Sequence, residues 1–355
     1  MHAPFLENVA RFWIRRREAP SSSQTGQVLP LMAVALASLI GFAGFAIDVG
    51  GAYTTHRKTQ QAADASALGA AQFLPANTSL ATSTANTLRS QNLPNGTINT
   101  PTYGSCYGVA NTKVTVTANQ NLSGYFSKLF AGKTAHASAT ACVGSYTGWS
   151  TNIAPWAIDK NNINWGTTVQ FKTQTAGTAG NFGGANLPII QYTCSIGTGG
   201  NDYRDLIDNN DQSCLVQVGD VLQSKTGNLA GPTQQGLDQR VVNGQSVQKP
   251  FCLTPAACPI LALQPDGTYR LTTYSHPNLI VIPVVDKITN GKSTYTVVGF
   301  AWFIIQNYDN KDVWGMFIGS EAPNGAKCPT ASDPNAPCPV GGYTDLGFTV
   351  VSLTG

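Results

Sequence analysis

The run VLPLMAVALASLIGFAGFAI, Val28 to Ile47, holds twenty consecutive positions without a charge. Wound as a helix it extends about 30 Å, the thickness of a bilayer's hydrocarbon core. Its length suits a membrane span better than the core helix of a globular domain, so it limits the architecture of everything around it. Arg11, Arg15, Arg16 and Arg17 crowd the side before it, whereas Asp48 follows at once and His56, Arg57 and Lys58 come only later. The positive-inside bias therefore predicts a cytoplasmic N-terminus and an extracytoplasmic location for the chain beyond about residue 48. A cleaved signal peptide is the competing reading, because Ala35-Leu36-Ala37 and Gly44-Phe45-Ala46 offer small residues of the kind signal peptidase accepts. The run exceeds the roughly 7 to 15 apolar residues of an ordinary signal core, which favours an uncleaved anchor.

Composition points the same way. Only 11% of the residues are charged, against roughly 25% in ordinary soluble domains. The net charge is +3, of which +2 falls in residues 1–25 once Glu7 and Glu18 are subtracted from the four arginines. No basic face is left over, and nucleic acid is excluded as a partner. The eight cysteines, Cys106, Cys142, Cys194, Cys214, Cys252, Cys258, Cys328 and Cys338, all lie beyond the apolar run. An even count placed there reads as disulfides in an oxidising compartment. Short loops close most readily, so sequential pairing is expected: 106 with 142, 194 with 214, 252 with 258 and 328 with 338. Structural zinc is disfavoured, because there is no C-x-x-C and His2, His56, His136 and His276 are scattered.

Within the apolar run Ala33, Ala37, Gly41 and Gly44 recur at helical spacing, and one further step of four reaches Asp48. One reading is a helix-association face, Ala37, Gly41, Gly44 and Asp48, that docks on a second membrane helix, of an assembly partner or of another copy of this chain. The bland reading is that Gly and Ala are common in membrane helices and that Asp48 is solvated among headgroups. The Ala-rich stretch from Val49 to Leu74 lacks proline until Pro75 and continues the helix, with Gly50 and Gly51 as a hinge.

The stretch from Gly26 to Ala71 reads as Gly-Gln, an apolar helix, an Ile-Asp-Val-Gly exit, an aromatic and basic turn, and then Gln-Gln-Ala-Ala-Asp-Ala-Ser-Ala-Leu. It resembles the N-terminal Tad domain of TadG-like Flp pilus-assembly proteins. The resemblance implies a single-pass protein of the bacterial cell membrane with a part in assembling, anchoring or decorating Flp-type adhesive pili. Its partners would be the lipid bilayer and other Tad/Flp pilus-assembly proteins. Many TadG-like proteins carry a von Willebrand A domain with an Asp-x-Ser-x-Ser metal motif. Here Asp64-Ala65-Ser66-Ala67-Leu68 lacks the last Ser and lies inside the Ala-rich helix, so no metal site is carried over. Prepilins place Glu five residues after the cleavage-site Gly, whereas Gly26 is followed at that distance by Leu31.

Beyond Pro75 a small strand, helix, strand unit is expected, with strands at Lys113–Ala118 and His136–Val143 and a helix from Leu122 to Phe130. The Gly-rich run from Gly177 to Pro188 has no Gly-Lys-Ser/Thr ending and reads as turns, not as a phosphate loop. Asp202, Asp205, Asp208, Asp211 and Asp220 crowd one stretch, which fails as an EF-hand because Ser213 stands where Gly is needed and Gly219 where the bidentate Glu belongs. A calcium site of another kind and a helix with an Asn-rich turn both stand as readings of it. The series GNFG, YRDLI, VGD and KTGNLAGPTQQGL, ending at Leu237, also resembles a module of Tad-type envelope proteins and brings no chemistry with it. Toward the C-terminus, Leu279–Val285, Tyr295–Gln306, Val313–Ile318 and Leu346–Leu353 are β-branched and aromatic runs expected to form a buried sheet or sandwich.

The expected fold class is α+β: a long N-terminal transmembrane and stalk helix followed by a β-rich, disulfide-stapled extracytoplasmic region. The expected divisions are a basic tail (1–25), the Tad-like helix (26–75), a small α+β unit (76–145) and a β-rich domain (146–355). No G-x-S-x-G or H-E-x-x-H occurs, and no histidine has a neighbour suited to catalysis, so no catalytic, cofactor or metal residue is assigned and a non-enzyme is expected. A pilus structural or assembly component leads. A surface adhesin binding a glycan or host surface is the alternative, and an exported hydrolase comes third.

Overall fold

The computed structural model describes residues 28–124, 126, 132–170, 184–186, 200–208, 215–225, 229–264, 267–288, 294–310, 312–319, 322–323, 325–328, 333, 335–346 and 348–354. The basic tail, Cys194, Cys214, Asp211 and most of the Gly-rich run lie outside the described residues. Two compact units are formed, one of residues 1–56 with 121–135 and the other of residues 57–120 with 136–355.

Helix α1, Val28–Ala71, is a single 44-residue helix that passes without a break through Gly50 and Gly51. At 1.5 Å per residue it is about 66 Å long. It ends ahead of Pro75, which has no N–H to extend the ladder. In the second half of α1 the buried positions Ala62, Ala63, Ser66, Ala67 and Ala70 recur at helical spacing, so alanine marks one face. Helix α2, Thr78–Asn92, starts where the Asn77 side chain accepts the Leu80 amide at 2.8 Å, and it turns Ala81 and Ala85 inward.

Two 13-residue strands, β1 (Val109–Asn121) and β2 (Thr134–Tyr146), are neighbours in one sheet. Side-chain bonds link Thr115 to Thr140 (2.9 Å), Thr117 to Ser138 (3.4 Å) and Asn119 to His136 (2.6 Å). Each advance along β1 is matched by an equal retreat along β2, so the pair is antiparallel. The alternate positions Val114, Val116 and Ala118 of β1 and Ala137, Ala139, Ala141 and Val143 of β2 join the α1 and α2 alanines in one core. The expected helix after β1, Leu122 to Phe130, is a correction: Leu122–Gly124 and Phe126 carry no helix, and Tyr125 and residues 127–130 lie outside the described residues. Leu122 still donates its amide to Lys133 at 2.8 Å, so the chain remains paired across the hairpin where a helix would have begun.

Three of the four expected C-terminal strands lie in a second, seven-stranded sheet. Its centre is β4 (Thr294–Tyr308), flanked by β3 (Leu279–Val285) and β5 (Val313–Ile318), both antiparallel to it. Phe300, Trp302 and Ile304 enter one core and Ala301, Phe303 and Ile305 the other. Both faces are covered, which is why the sequence there is a continuous apolar run instead of an alternating one. The Leu346–Leu353 run begins pairing only at Thr349: β6 (Thr349–Thr354) joins β2 in the first sheet. Disulfides connect Cys106 to Cys142, Cys252 to Cys258 and Cys328 to Cys338.

Helices α3 (Gly200–Ile207) and α4 (Ala230–Gln239) are tied to the β3 edge by Arg240, which is 1% exposed. Its guanidinium donates to the carbonyls of Pro277 (2.8 Å), Ile207 (2.9 Å) and Leu279 (3.2 Å) and to Asn152 Oδ1 (3.2 Å). Burial lowers its pKa to about 10 against the pull of the nearby Asp208 charge, so it remains a cation at neutral pH. Arg240→Met fills the space but leaves these carbonyls without a donor. Unfolding in urea should show a loss on the order of 3 kcal/mol, and an unchanged midpoint would show that the four bonds do not hold the helices.

Candidate functional site

Among the described residues α1 is the one helix long and apolar enough to cross a membrane. Its first half is apolar on all sides and exposed, with Leu29 at 77%, Val34 at 67% and Phe42 at 74%. A helix of this kind in water would leave its whole apolar surface unburied, and lipid is the solvent that suits it. Gly44 and Asp48 are the exceptions, being buried in an otherwise exposed stretch. They lie one turn apart on one face.

That face is occupied by Phe126, which lies between β1 and β2 in the chain. The backbone amide of Phe126 donates to both carboxylate oxygens of Asp48, each at 3.2 Å. A Cβ placed on Gly44 would lie 2.9 Å from Phe126 Cβ and 3.1 Å from its Cγ, so glycine is what lets the Phe126 side chain lie against the helix. Of the four residues expected to form a helix-association face, the structure brings Gly44 and Asp48 to the chain's own hairpin. Ala37 and Gly41 stay exposed, with nothing within 4 Å of a Cβ on Gly41. The second half of α1 behaves differently. Gln60 Nε2 donates to Asp64 Oδ1 at 2.7 Å and reaches the Ser138 carbonyl of β2 at 3.4 Å, above the buried alanines.

Residues 26–72 match the Tad family model, described as "Putative Flp pilus-assembly TadE/G-like". No curated protein and no solved structure matches the chain. The parts of the Tad segment that read as a motif have separate physical work. In Ile-Asp-Val-Gly, Asp48 holds the hairpin amide. In Gln-Gln-Ala-Ala-Asp-Ala-Ser-Ala-Leu, Ala62, Ala63 and Ala67 are fully buried against α2 and the sheet, while Gln60 and Asp64 bond to one another at the rim.

Beyond the Tad segment, the five carboxylates of the acidic stretch do not converge where they are described. Asp205 pairs with its neighbour Arg204 at 2.8 Å. Asp220 accepts the Gln217 amide at 2.6 Å, and burial raises its pKa. Among the described residues no group of three His, Cys, Asp or Glu is placed to hold a metal. A feature that sequence reasoning missed is a cleft of about 710 Å³ lined by Phe73, Trp165, Tyr269, Arg270, Tyr343 and Asp345. Trp165 is 40% exposed there. Burial and then the Asp345 charge push the Tyr343 pKa up to about 12, and Arg270 is held by the Gln72 carbonyl at 3.1 Å. These residues span most of the chain, and no local pattern announces them.

The Asp48 carboxylate is expected to protect the amide it holds. Because a hydrogen bond to a charged group contributes roughly 1.5–3 kcal/mol, Asp48→Ala should speed hydrogen exchange at the Phe126 amide by about tenfold or more. Exchange at Val114 and Val116 should not change. An unaltered rate at Phe126 would show that the carboxylate is not its protector.

Proposed function

We propose that this protein is a membrane-anchored, non-enzymatic envelope component that serves a Flp-type pilus system as a structural or assembly part. The observation that carries this reading is the coincidence of the Tad match, residues 26–72, with the one described helix apolar enough to span a bilayer. The N-terminus is placed in the cytoplasm and the β-rich region outside it. The four arginines ahead of the helix support that orientation, and the disulfides of the β-rich region support an oxidising location. Ala37 and Gly41 are the part of the small-residue face left for another helix, of an assembly partner or of a second copy. Glycine at such a position permits close backbone approach, which drives association in lipid where the hydrophobic effect does not.

Trp165 and its cleft favour a second reading, adhesion to a glycan. Exposed aromatic faces beside carboxylate, guanidinium and hydroxyl groups suit the apolar faces and hydroxyls of sugar rings. Saturable glycan binding that Trp165→Ala abolishes, in cells whose pili are normal, would replace the first reading by this one.

Alkaline phosphatase fused after Gly355 should be active and a fluorescent protein fused at the same place dark. The reverse pattern would overturn the orientation. Deleting the chain should remove surface pili, and normal piliation in its absence would sink the assembly role. Gly41→Leu should weaken crosslinking of the anchor to its partner while protein abundance holds, with Leu39→Ala as the control on another face. Equal crosslinking in both would leave the anchor a tether.

A further inference from the structure

We propose that Phe126, which follows β1, is a second membrane-contacting element, its side chain seated in the bilayer beside the anchor helix at the level of Gly44. The inference rests on the anchor reading and adds to it a contact that the Tad match, a segment of residues 26–72, does not contain.

Three observations converge on it. Phe126 is a large apolar side chain left 66% exposed. It packs against Gly44, inside the uncharged run and four residues short of Asp48, which is about 6 Å below the first charge along the helix axis. The surface around it is continuous with exposed apolar positions on the same side of the helix, Ile40 and Ile47, four residues before and three after Gly44. A side chain at that depth shares the solvent of its neighbours, and aromatic rings are favoured where hydrocarbon gives way to headgroups.

The polar bonds answer the objection that the non-helical backbone of Phe126 is costly in such a place. Near hydrocarbon each backbone N–H has to find an acceptor within the protein, and a carboxylate has to find donors. The Phe126 amide and the Asp48 carboxylate satisfy one another, and Asp48 is fully buried. The arrangement thus removes the polar cost of that amide and leaves the Phe126 ring outward. Gly44 gives the room for this, since any Cβ there would displace Phe126. The occupant is lipid, not a protein groove, because the exposed part of the ring continues a helix surface that lipid already covers on the anchor reading.

The test is photocrosslinking of the full chain in phospholipid nanodiscs, with p-benzoylphenylalanine in place of Phe126 or, separately, of Leu39. Lipid adducts are expected from both positions. Gly44→Leu should abolish most of the adduct at 126 and leave that at 39 unchanged. Lipid adducts at 39 with none at 126, or with protein adducts only at 126, would overturn the inference while leaving the anchor in place. Lipid adducts at neither position would overturn the anchor reading and this inference with it. A 126 adduct that Gly44→Leu does not reduce would show that the ring reaches lipid without the Gly44 seat, and the seat would be wrong.

Discussion

The first sheet and the second half of α1 depend on alanine meeting alanine. Ala62, Ala63, Ala67, Ala70 and Ala71 of the helix face Ala118, Ala137, Ala139 and Ala141 of the hairpin, and α2 adds Ala81 and Ala85. Each methyl contributes little burial, so the stability of such an interface comes from the number of contacts at short range and not from large side chains. Close range is enforced throughout. A Cβ on Gly69 would sit 2.1 Å from Leu88 Cδ1, so the glycine leaves room for the tip of the Leu88 side chain of α2 to lie over α1. The Cys106–Cys142 bridge links two strands of the sheet that this thin core covers, where Phe73 is the one aromatic among the buried described members. The second sheet is built on the opposite principle. Trp149, Trp302 and Phe348 meet with ring centroids 4.6 to 5.7 Å apart, and each buries far more surface than an alanine does.

These two ways of filling a core account for what was legible in the sequence. Leu279–Val285 and Val313–Ile318 form strands over the residues where β-branched and aromatic runs predict them, because a central strand covered on both faces needs no polar partner and leaves a local signature. The helix after β1 was misread for a related reason. Leu122, Phe126 and Phe130 fall at helical spacing, yet Leu122 is already committed to Lys133 across the hairpin. Spacing records which residues are apolar and not what they pack on, and a hairpin connection that keeps apolar residues has the same spelling as an amphipathic turn of helix.

The site was legible only in part, and the boundary is set by distance along the chain. The apolar run, the small-residue stripe and Asp48 are local and could be read. That the stripe divides, with Gly44 and Asp48 covered by the chain's own hairpin and Ala37 and Gly41 exposed, depends on a contact 78 residues away. The cleft beside Trp165 is further from reach, since Phe73 and Asp345 meet there only because β6 returns to β2 from the end of the chain. Nothing in the neighbourhood of either residue encodes that return.

A glycine and a carboxylate in one apolar helix usually invite a partner-docking explanation, and the geometry shows why such motifs need a structure to be assigned. Gly44 and Gly69 each leave room for a side chain from another part of the chain, but their surroundings differ. Gly69 is covered by Leu88 and Thr84 of α2, beside the buried Ala70 and Ala85, so water is the medium being excluded. Around Gly44 the same-side neighbours Ile40 and Ile47 are exposed, so exclusion of water is not achieved by the protein and must come from the medium itself. The change from one regime to the other falls between Asp48 and Thr59, both fully buried, within a helix that does not break. Small residues therefore mark close approach in both halves of the Tad segment, and only the polarity of the adjoining surface tells which half is to meet lipid.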